Sequence, residues 1–471
     1  MKKSLLIASM AAICAGTMFA GVDQATYEAQ DGLVLKNRWL KSRYLNDTEF
    51  AALPWIVEGP NYSRTATIAN WDGKDVIVVT SNKIMVDGTS KDQVTFYVLD
   101  IKDGSLIKSV TPTLDGKTFN ALLAANQIGT DDFNNIWFAG YIQTPYAAQT
   151  TKDDGTVVEA HANPSHFYTV DLATGACKDV AQVALPDDEA SASGRIDYWD
   201  LVGDVTREQA RCVIMALPSG TEQPYVYGWA CEQGSDEWTG HFDGYVSSAA
   251  TETYAAEQTQ WGTAPVVRIV KDQDFSAASF YTDGFTTCPA LYDQTMTMLD
   301  SFAACPDLAP KVGTNGVGEF SLNGQPYLVY SLNQYVSPEY CMVRVAKLGA
   351  NYEFEPMVAL WDFPTGGLGE TSDGGARMHN VLAKIYTDAS GVEGAYILTC
   401  KASNGIGVYT VAPEEWVDPN GDAGVEDVVA DADANAPVEY FNLNGVKVNG
   451  DLAPGLYITR QGSKVAKKVV K

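Results

Sequence analysis

The sequence is poor in basic side chains and in histidine. Its 471 residues include 32 lysines and arginines against 59 acidic residues, a formal net charge of −27, and four histidines. A chain with this charge lacks the basic surface that binds nucleic acid phosphates, and it is equally unsuited to adsorb to anionic lipid. We therefore predict a well-solvated acidic surface and no nucleic acid partner.

Long apolar runs and catalytic motifs are also missing. No stretch after the first twenty residues approaches the roughly 20 apolar residues that cross a bilayer as a helix, so we predict no membrane span. The GxSxG, HExxH, Walker and dinucleotide-binding patterns are absent. His161 and His166 lie in a polar loop at a spacing that suits no common metal motif. The sequence therefore predicts no cofactor and no metal, and it indicates no particular reaction.

The cysteines are widely spaced. Beyond Cys14 the chain has no CxxC pair, which disfavours a zinc ribbon. Cys288 and Cys305 flank a loop-like stretch and could form a disulfide in an exported protein. The alternative is that these thiols pack as small apolar groups, as Cys212, Cys341 and Cys400 would in strand-like runs. Both interpretations stay open for Cys288 and Cys305.

The first twenty residues have the order of a secretory signal peptide. Lys2 and Lys3 precede an apolar segment from Leu5 to Ile13, and small residues lead to Ala20. We expect cleavage after Ala20, so residues 1–20 form the leader. Ile13 stands before Cys14 where a lipoprotein signal carries a small residue, which disfavours a lipid anchor. The chain is predicted to be exported, with the cell surface, the medium or the periplasm as its destination.

One hairpin pattern occurs twice in the body of the chain. Residues 94–110 read VTFYVLDIKDGSLIKSV and residues 165–180 read SHFYTVDLATGACKDV, with a glycine at the same place in each turn. Other strand-like runs precede these hairpins and recur later in the chain, which indicates a repeated unit of four strands. The predicted first strands of five such units lie at 64–70, 119–126, 195–204, 318–324 and 377–386. A sixth unit, around 266–270, matches the pattern less closely.

Repeated four-stranded units without long amphipathic helices are typical of a β-propeller. We predict an all-β fold, with residues 21–412 forming a β-propeller of five to seven blades, in which the segment from Trp39 to Pro60 completes the last blade or caps the ring. A pair of β-sandwich domains is the alternative, although a sandwich need not show any period.

The composition changes after residue 412. Residues 413–437 carry eight acidic side chains and no basic one, which predicts a solvated linker. Residues 438–471 carry six basic and two acidic side chains and alternate strand-like runs with turns at Asn444-Gly445 and Gly462. They predict a small, separate β module at the C-terminus.

This C-terminal module resembles the sorting domain of exported Bacteroidetes proteins, related to type IX secretion signals. The likeness rests on the preceding GVEDVV segment and on a set of module residues: Tyr440, Asn442, Leu443, Gly445, Pro454, Gly455, Tyr457, Ile458, Gly462 and the lysine ending. The resemblance implies export machinery as a partner, and delivery to the outer membrane or beyond.

The body resembles secreted Bacteroidetes propeller proteins of unknown function. The likeness rests on the Trp39–Ser42 segment, the Pro54-Trp55 pair and the arginine-led strand from Arg64 to Asn70. Leu40 is an insertion relative to that pattern. The resemblance implies a fold and no activity.

Arginine opens three of the predicted first strands, at Arg64, Arg195 and Arg377. In a propeller these strands line the central channel, so their starting ends would meet at one mouth and present guanidinium groups that bind carboxylate or phosphate. The alternative is that neighbouring acids already pair these arginines across blades. The predicted ligand-binding residues are Arg64, Asn120, Arg195, Asp197, Tyr198, Glu319, Arg377 and His379, and the predicted ligand is anionic, such as an acidic sugar or a peptide carboxylate.

Two functions remain open at this point. The first is a non-catalytic surface propeller that binds a glycan, a peptide or an envelope partner, and it needs no missing motif. The second is a propeller hydrolase or lyase that acts on a polysaccharide, since two carboxylates at the right separation need no sequence signature. Trp71, Trp238 and Trp261 lie at turns and are the predicted exposed tryptophans for carbohydrate stacking.

Overall fold

A computed structural model describes residues 23–42, 65–421 and 439–470, with internal gaps of which the longest are 186–193, 248–264, 311–315, 333–341, 369–378 and 442–446. The predicted signal peptide lies outside these residues. The only helical segment among them is a short 3-10 turn at Pro306–Leu308, and none of them forms a helix able to cross a membrane. The chain divides into two compact units, one ending at Val417 and one starting at Asp418.

Six four-stranded antiparallel sheets make up the first unit. The strand β1 (Leu33–Ser42) comes first in the chain but belongs to the last sheet. From the innermost strand outward, blade 1 consists of β2 (Ala66–Trp71), β3 (Lys74–Val86), β4 (Thr89–Asp100) and β5 (Leu106–Val110). A small hairpin, β6 (Thr113–Leu114) and β7 (Lys117–Thr118), follows it.

Blade 2 carries an insertion between its second and third strands. Its own strands are β8 (Gln127–Thr130), β9 (Ile136–Ala139), β14 (Ser165–Val170) and β15 (Cys177–Val183). The insertion forms two short strand pairs from β10 (Tyr146–Ala147), β11 (Thr150–Thr151), β12 (Val157–Val158) and β13 (His161–Ala162).

The remaining blades follow the same order from the inside outward. Blade 3 is β16 (Gly194–Asp204), β17 (Gln209–Pro218), β18 (Tyr225–Cys231) and β19 (Trp238–Tyr245). Blade 4 is β20 (Val266–Ile269), β21 (Phe280–Asp283), β22 (Ala290–Tyr292) and β23 (Met298–Ser301). Blade 5 is β24 (Val317–Leu322), β25 (Gln325–Ser331), β26 (Val343–Lys347) and β27 (Val358–Phe363). Blade 6 is β28 (His379–Thr387), β29 (Glu393–Lys401), β30 (Gly405–Pro413) and β1.

The six innermost strands form a closed ring. Each of β2, β8, β16, β20, β24 and β28 contacts the innermost strand of the next blade, and β28 contacts β2. Sheets that radiate from such a ring define a six-bladed β-propeller, so the predicted fold is confirmed. The weakly patterned segment at 266–270 is the inner strand of blade 4, and the sandwich alternative is wrong.

The N-terminal strand closes the ring. β1 pairs antiparallel with β30, from Leu33 opposite Pro413 to Ser42 opposite Gly405, and is the outermost strand of blade 6. Trp39 in β1 donates its indole N–H to the carbonyl of Ile101 in blade 1 at 2.8 Å. The predicted role of the Trp39 segment in completing the last blade therefore holds as far as Ser42, while residues 43–64 lie outside the described residues.

The repeated hairpins join the third and fourth strands of blades 1 and 2. Gly104 and Gly175 adopt positive φ angles of 68° and 78°. Their N–H groups donate to the carbonyls of Asp100 at 2.9 Å and Asp171 at 2.7 Å. The same turn chemistry therefore builds the same edge of two blades, as the matching sequences predicted.

The predicted first strand over residues 119–126 is wrong. The inner strand of blade 2 starts at Gln127, and Leu123, Ala124 and Ala125 before it lie in a turn. Ala125 exchanges two hydrogen bonds with the side-chain amide of Asn82, at 2.9 and 3.0 Å, so a side chain takes the place of a strand partner. Leu123 is buried in this turn with a positive φ of 57°. The residues of this run are apolar because they are buried, although they form no strand.

The second unit contains one four-stranded antiparallel sheet in the order β32, β31, β33, β34. Its strands are β31 (Glu439–Phe441), β32 (Lys447–Val448), β33 (Gly455–Gln461) and β34 (Lys464–Val470). The Lys468 ammonium lies 5.2 Å from the centre of the Tyr440 ring and donates to its hydroxyl at 2.9 Å. The predicted turn residues Asn444, Gly445 and Gly462 lie outside the described residues.

Candidate functional site

A cavity of about 340 Å³ occupies the central channel of the propeller. All six innermost strands line it, so every blade contributes to one site. Both apolar and polar side chains line it, as in many small-molecule sites. The polar residues from successive blades include Thr67, Gln127, Asp200, Arg268, Glu319 and Asn380.

Several of these polar side chains join one blade to the next. The Thr67 and Thr130 hydroxyls share a hydrogen bond of 2.9 Å between blades 1 and 2. Four further junctions pair a side chain with the backbone of the adjacent blade: Gln127 with Trp199 (2.6 and 2.7 Å), Asp200 with the Ile269 N–H (2.8 Å), Glu319 with the Lys271 N–H (3.1 Å) and Asn380 with the Ala66 N–H (3.2 Å). The channel wall is therefore a set of interblade hydrogen bonds.

Arg268 and Asp200 form an ion pair within this wall. Their side chains are 11% and 9% exposed, and the closest N to O distance is 3.9 Å. The guanidinium group of Arg268 also lies over the Tyr198 ring, 5.2 Å from its centre. Since buried charges need partners, this pair and the ring together hold the junction of blades 3 and 4.

Glu319 has a perturbed acidity. Its removal from water raises the pKa of the carboxyl group to about 7, and the nearby carboxylates of Asp272 and Asp200 add to the rise. The Lys271 N–H and ammonium lower it, but by less than burial raises it. Glu319 is therefore partly protonated near neutral pH.

Two lysines contribute positive charge to the channel. Lys384 lies 3.8 Å from Asp75, and burial lowers the pKa of its ammonium group. Lys271 forms no ion pair with any residue that the structure describes. Its ammonium is consequently the better candidate to meet a ligand.

A rigid loop of blade 2 lies beside the channel. The Asp131 carboxylate accepts from the N–H groups of Phe133 (3.0 Å), Asn135 (2.8 Å) and Val205 (2.8 Å). Asn134 exchanges two bonds of 2.7 Å with the Asn70 backbone in blade 1. The loop is thus fixed to its neighbours on both sides.

Phe133 protrudes from this loop with 62% of its surface exposed. The residues on either side of it, Asp132 and Asn134, line the channel. Phe133 itself is not among the residues that line the cavity.

The predicted arginine mouth is described only in part. Arg195 donates to both carboxylate oxygens of Asp197 at 2.5 Å and lies 5.0 Å from the centre of the Tyr141 ring. The pair lies within one strand and not across blades. Arg64 and Arg377 are outside the described residues, so convergence of the three arginines stays a prediction.

The other predicted ligand-binding residues lie in different places. Tyr198 is buried beneath Arg268. Asn120 is exposed before the first strand of blade 2 and accepts from the Thr118 hydroxyl at 2.9 Å. His379 opens β28, and nothing is described of its side chain. Of the eight predicted residues, Glu319 is the one that lines the described cavity.

The tryptophans predicted to be exposed are half-buried where they are described. Trp71 packs against the core of blades 1 and 2 and lies under the Lys108 ammonium, 5.2 Å away. Trp238 packs against the core of blade 3. Trp261 lies outside the described residues.

The histidines and cysteines form no described metal site. His166 contacts Asp179 at 2.8 Å, and His161 contacts the carbonyl of Glu159 at 2.9 Å. No cluster of three or more potential metal ligands occurs in the described parts of the chain. Cys288 is buried and Cys305 half-buried, and neither belongs to a disulfide in the described part of the chain, so the packing interpretation applies to both.

The residues that sequence reasoning missed are Arg268, Lys271 and Lys384. Arg268 and Lys271 fall in the unit whose repeat pattern was weakest, which hid their place on the ring.

No protein-family model and no curated protein matches this chain. Among solved structures, a sialidase of Trypanosoma rangeli in complex with 2,3-difluorosialic acid is similar at 8% identity and a TM-score of 0.35, over 74% of this chain and 54% of that one. An exo-β-1,3-galactanase from Phanerochaete chrysosporium is similar at 11% identity and 0.33, over 64% and 62%. AofleA from Arthrobotrys oligospora is similar at 8% and 0.37, over 87% and 90%.

This chain spans about half the length of the sialidase. At these TM-scores the matches say nothing of what this chain binds. The strand order and the closed ring define it as a six-bladed propeller with a polar central channel.

Proposed function

We propose that this protein is an exported, non-catalytic β-propeller that binds a glycan in its central channel. The observation that carries the proposal is that polar side chains of the channel are held in place by hydrogen bonds between blades. Asp200 bonds to the Ile269 N–H and pairs with Arg268, and Glu319 bonds to the Lys271 N–H. Carboxylates that hold blade junctions are fixed in place and suited to accept hydrogen bonds from the hydroxyl groups of a bound sugar.

The mixture of groups in the channel supports a polyhydroxylated ligand. Apolar side chains such as Ile68 and Phe320 share the wall with donors and acceptors of both charges. A sugar offers apolar ring faces and hydroxyl groups that both donate and accept, so it complements such a wall. The uncommitted ammonium of Lys271 would add affinity for a carboxylated sugar or a peptide carboxylate.

Export is part of the proposal. The leader at 1–20 and the C-terminal module at 438–471, with its likeness to a sorting domain, support delivery to the cell surface or the medium. The export machinery would be the partner of the C-terminal module. Cell fractionation tests this part of the proposal. The full chain is expected in the surface and culture fractions, and a chain without residues 438–471 is expected to stay inside the cell envelope.

A glycan array with the mature chain tests the binding function. Binding to at least one glycan class is expected, and Lys271→Ala should weaken it about tenfold because a charged hydrogen bond to the ligand is lost. Lys178→Ala, on the outermost strand of blade 2, is the matched control and should bind normally. Absence of binding to any glycan would contradict the proposal.

The raised pKa of Glu319 favours a second function, a polysaccharide hydrolase. A carboxyl group that is half protonated near neutral pH can act as a general acid, and Asp200 and Asp272 lie near it. Incubation with polysaccharide pools separates the two functions. Release of reducing ends by the wild type and its loss in Glu319→Gln, with binding retained, would establish catalysis and overturn the non-catalytic function.

A further inference from the structure

Two lysines line the central cavity on either side of blade 5. Lys271 comes two residues after β20, the inner strand of blade 4, and Lys384 lies in β28, the inner strand of blade 6. The inner strand of blade 5, β24, contacts both β20 and β28. The two lysines therefore flank one strand of the channel wall.

Their ammonium groups lie within electrostatic range of each other. Burial lowers the pKa of the Lys384 ammonium, Asp75 raises it, and the charge of Lys271 lowers it further. Burial raises the pKa of Glu319, on the strand between the lysines, and the Lys271 charge opposes that rise. The Lys271 ammonium is thus close to two groups of the cavity wall. Since like charges repel, an anion between the two lysines would stabilise both.

The acids that line the cavity already have protein donors. Asp272 accepts from the Tyr352 hydroxyl at 3.0 Å, and Asp132 accepts from the Gly203 N–H at 2.7 Å. The remaining lining acids, which accept the hydrogen bonds described above, are Asp131, Asp200 and Glu319. Their negative charges are therefore partly offset within the protein.

The basic groups of the cavity differ in what they can offer a ligand. Arg268 is committed to Asp200. Lys384 is 33% exposed and lies 3.8 Å from Asp75, which is longer than an ordinary hydrogen bond. Lys271, which forms no ion pair with a described residue, is exposed. The charges that an entering ligand can still meet are consequently the two ammonium groups.

We propose that the ligand of the channel is an acidic glycan whose anionic group binds between the ammonium groups of Lys271 and Lys384. A sugar carboxylate or sulfate ester carries several acceptor oxygens on one centre, so it can accept from both lysines at once. The rest of the sugar meets the polar and apolar groups of the wall. This inference rests on the proposed glycan-binding function and assigns the chemical class of the ligand.

Calorimetric titration of the full mature chain with matched methyl glycosides tests the preference for charge. Glucose, galactose and mannose are each used as the neutral sugar, the uronate and the 6-sulfate. The wild type is expected to bind at least one anionic form about tenfold or more tighter than its neutral parent, because two charged hydrogen bonds are added. The tighter of the two anionic forms identifies the anion. Added salt should weaken binding of the anionic form and leave that of the neutral parent unchanged.

Lys271→Met and Lys384→Met each remove one charge and keep an aliphatic stem. Each should weaken binding of the anionic glycoside about tenfold and leave the affinity for the neutral parent unchanged. A merely structural role of either lysine would change both affinities together. Lys384→Arg keeps the charge and should retain the preference for the anionic form.

Lys347→Met is the matched control. Lys347 is 32% exposed and pairs with Asp31 at 2.7 Å, so it resembles Lys384 in exposure and in having an aspartate partner. It is not among the residues that line the channel cavity, and its replacement should leave both affinities unchanged.

Equal affinity of the wild type for the anionic and neutral forms would overturn this inference alone, as would an unchanged preference in both Lys271→Met and Lys384→Met. If no methyl glycoside binds measurably, the acidic and neutral members of the glycan array decide in the same way. An empty array would instead overturn the proposed function.

Discussion

The carboxylate of Asp23 accepts a hydrogen bond of 2.8 Å from the hydroxyl of Tyr409, 386 positions later in the chain. Three more groups donate to the same carboxylate: the Tyr27 hydroxyl (2.5 Å), the Asn37 amide (2.8 Å) and the Thr365 N–H (2.8 Å). Asp23 is 7% exposed, so these bonds take the place of water. They join the N-terminal segment to blade 6 and to the connection from blade 5, beside the strand that closes the ring.

We predict that Asp23→Ala lowers the free energy of unfolding by about 3 kcal/mol, because two buried hydroxyls and two part-buried N–H donors lose their acceptor. Urea denaturation followed by tryptophan fluorescence measures the change. Asp31→Ala is the control, since Asp31 pairs with Lys347 at 2.7 Å on the surface and should cost less than about 1 kcal/mol. Equal losses in the two variants would show that Asp23 is not a closure contact.

Gly104 shows how the closing strand meets blade 1. Its φ is 68°, and a Cβ atom there would lie 2.7–2.8 Å from the ring of Trp39. Gly104→Ala should therefore destabilise through both backbone strain and displacement of Trp39. Gly116→Ala isolates the strain, because Gly116 has a φ of 75° and nothing within 4 Å.

We expect about 1 kcal/mol of lost stability for Gly116→Ala and at least about 1 kcal/mol more for Gly104→Ala. Thermal unfolding of both variants in parallel measures the difference. Indistinguishable losses would mean that Trp39 moves away without cost.

Most of the fold could be predicted from the sequence because the same turn residues recur in successive blades. The hairpins at Gly104 and Gly175 use the same aspartate and glycine positions, and their repetition predicted blades. The repeat pattern of blade 4 was weak in the sequence because its four strands are only three or four residues long, too short for a clear period. The turn at 119–126 looked like a strand because burial alone selects apolar residues there.

The site was less predictable than the fold. The sequence predicted that acids would pair the arginines across blades, whereas Arg195 pairs with Asp197 of its own strand, at a point where the register of that strand shifts. The pairing of Asp200 with Arg268 could not be predicted either, because it joins two blades whose register only the closed ring determines.

The boundary of the propeller gives a third prediction. Trp416 donates to the carbonyl of Tyr386 at 3.3 Å and covers Gly394, and the Val417 N–H donates to Asp388 at 2.9 Å. A fragment of residues 21–417 should unfold at the temperature of the full mature chain. A fragment of residues 21–412 should lose about 2 kcal/mol, because the indole packing and both bonds are removed.

Calorimetry of the two fragments and the full chain decides this. A lower melting temperature for the 21–417 fragment would show that the C-terminal unit stabilises the propeller. Equal melting of the two fragments would show that Trp416 contributes nothing.

Glu319 makes the stability of the propeller depend on pH. Folding raises the pKa of this carboxyl group from 4.5 to about 7, so the folded state binds a proton that the unfolded state has lost. The stabilising effect of that proton is complete below the unfolded pKa, and it disappears as the pH rises through the folded pKa. Glu319→Gln keeps the shape of the protonated group and removes its titration.

The variant should therefore match the wild type at pH 4.5 and become the more stable of the two by pH 7, by between about 1 and 3 kcal/mol, the lower value applying if channel water solvates the charge. Urea denaturation of both proteins across this range measures the difference. Glu353→Gln is a control of opposite sign, because bonds from Asn351 lower the pKa of Glu353, so its replacement should cost more at pH 7 than at low pH. A difference between wild type and Glu319→Gln that stays constant from pH 4.5 to 7 would show that Glu319 does not titrate in this range. Glu319 could then not serve as the general acid of a hydrolase near neutral pH.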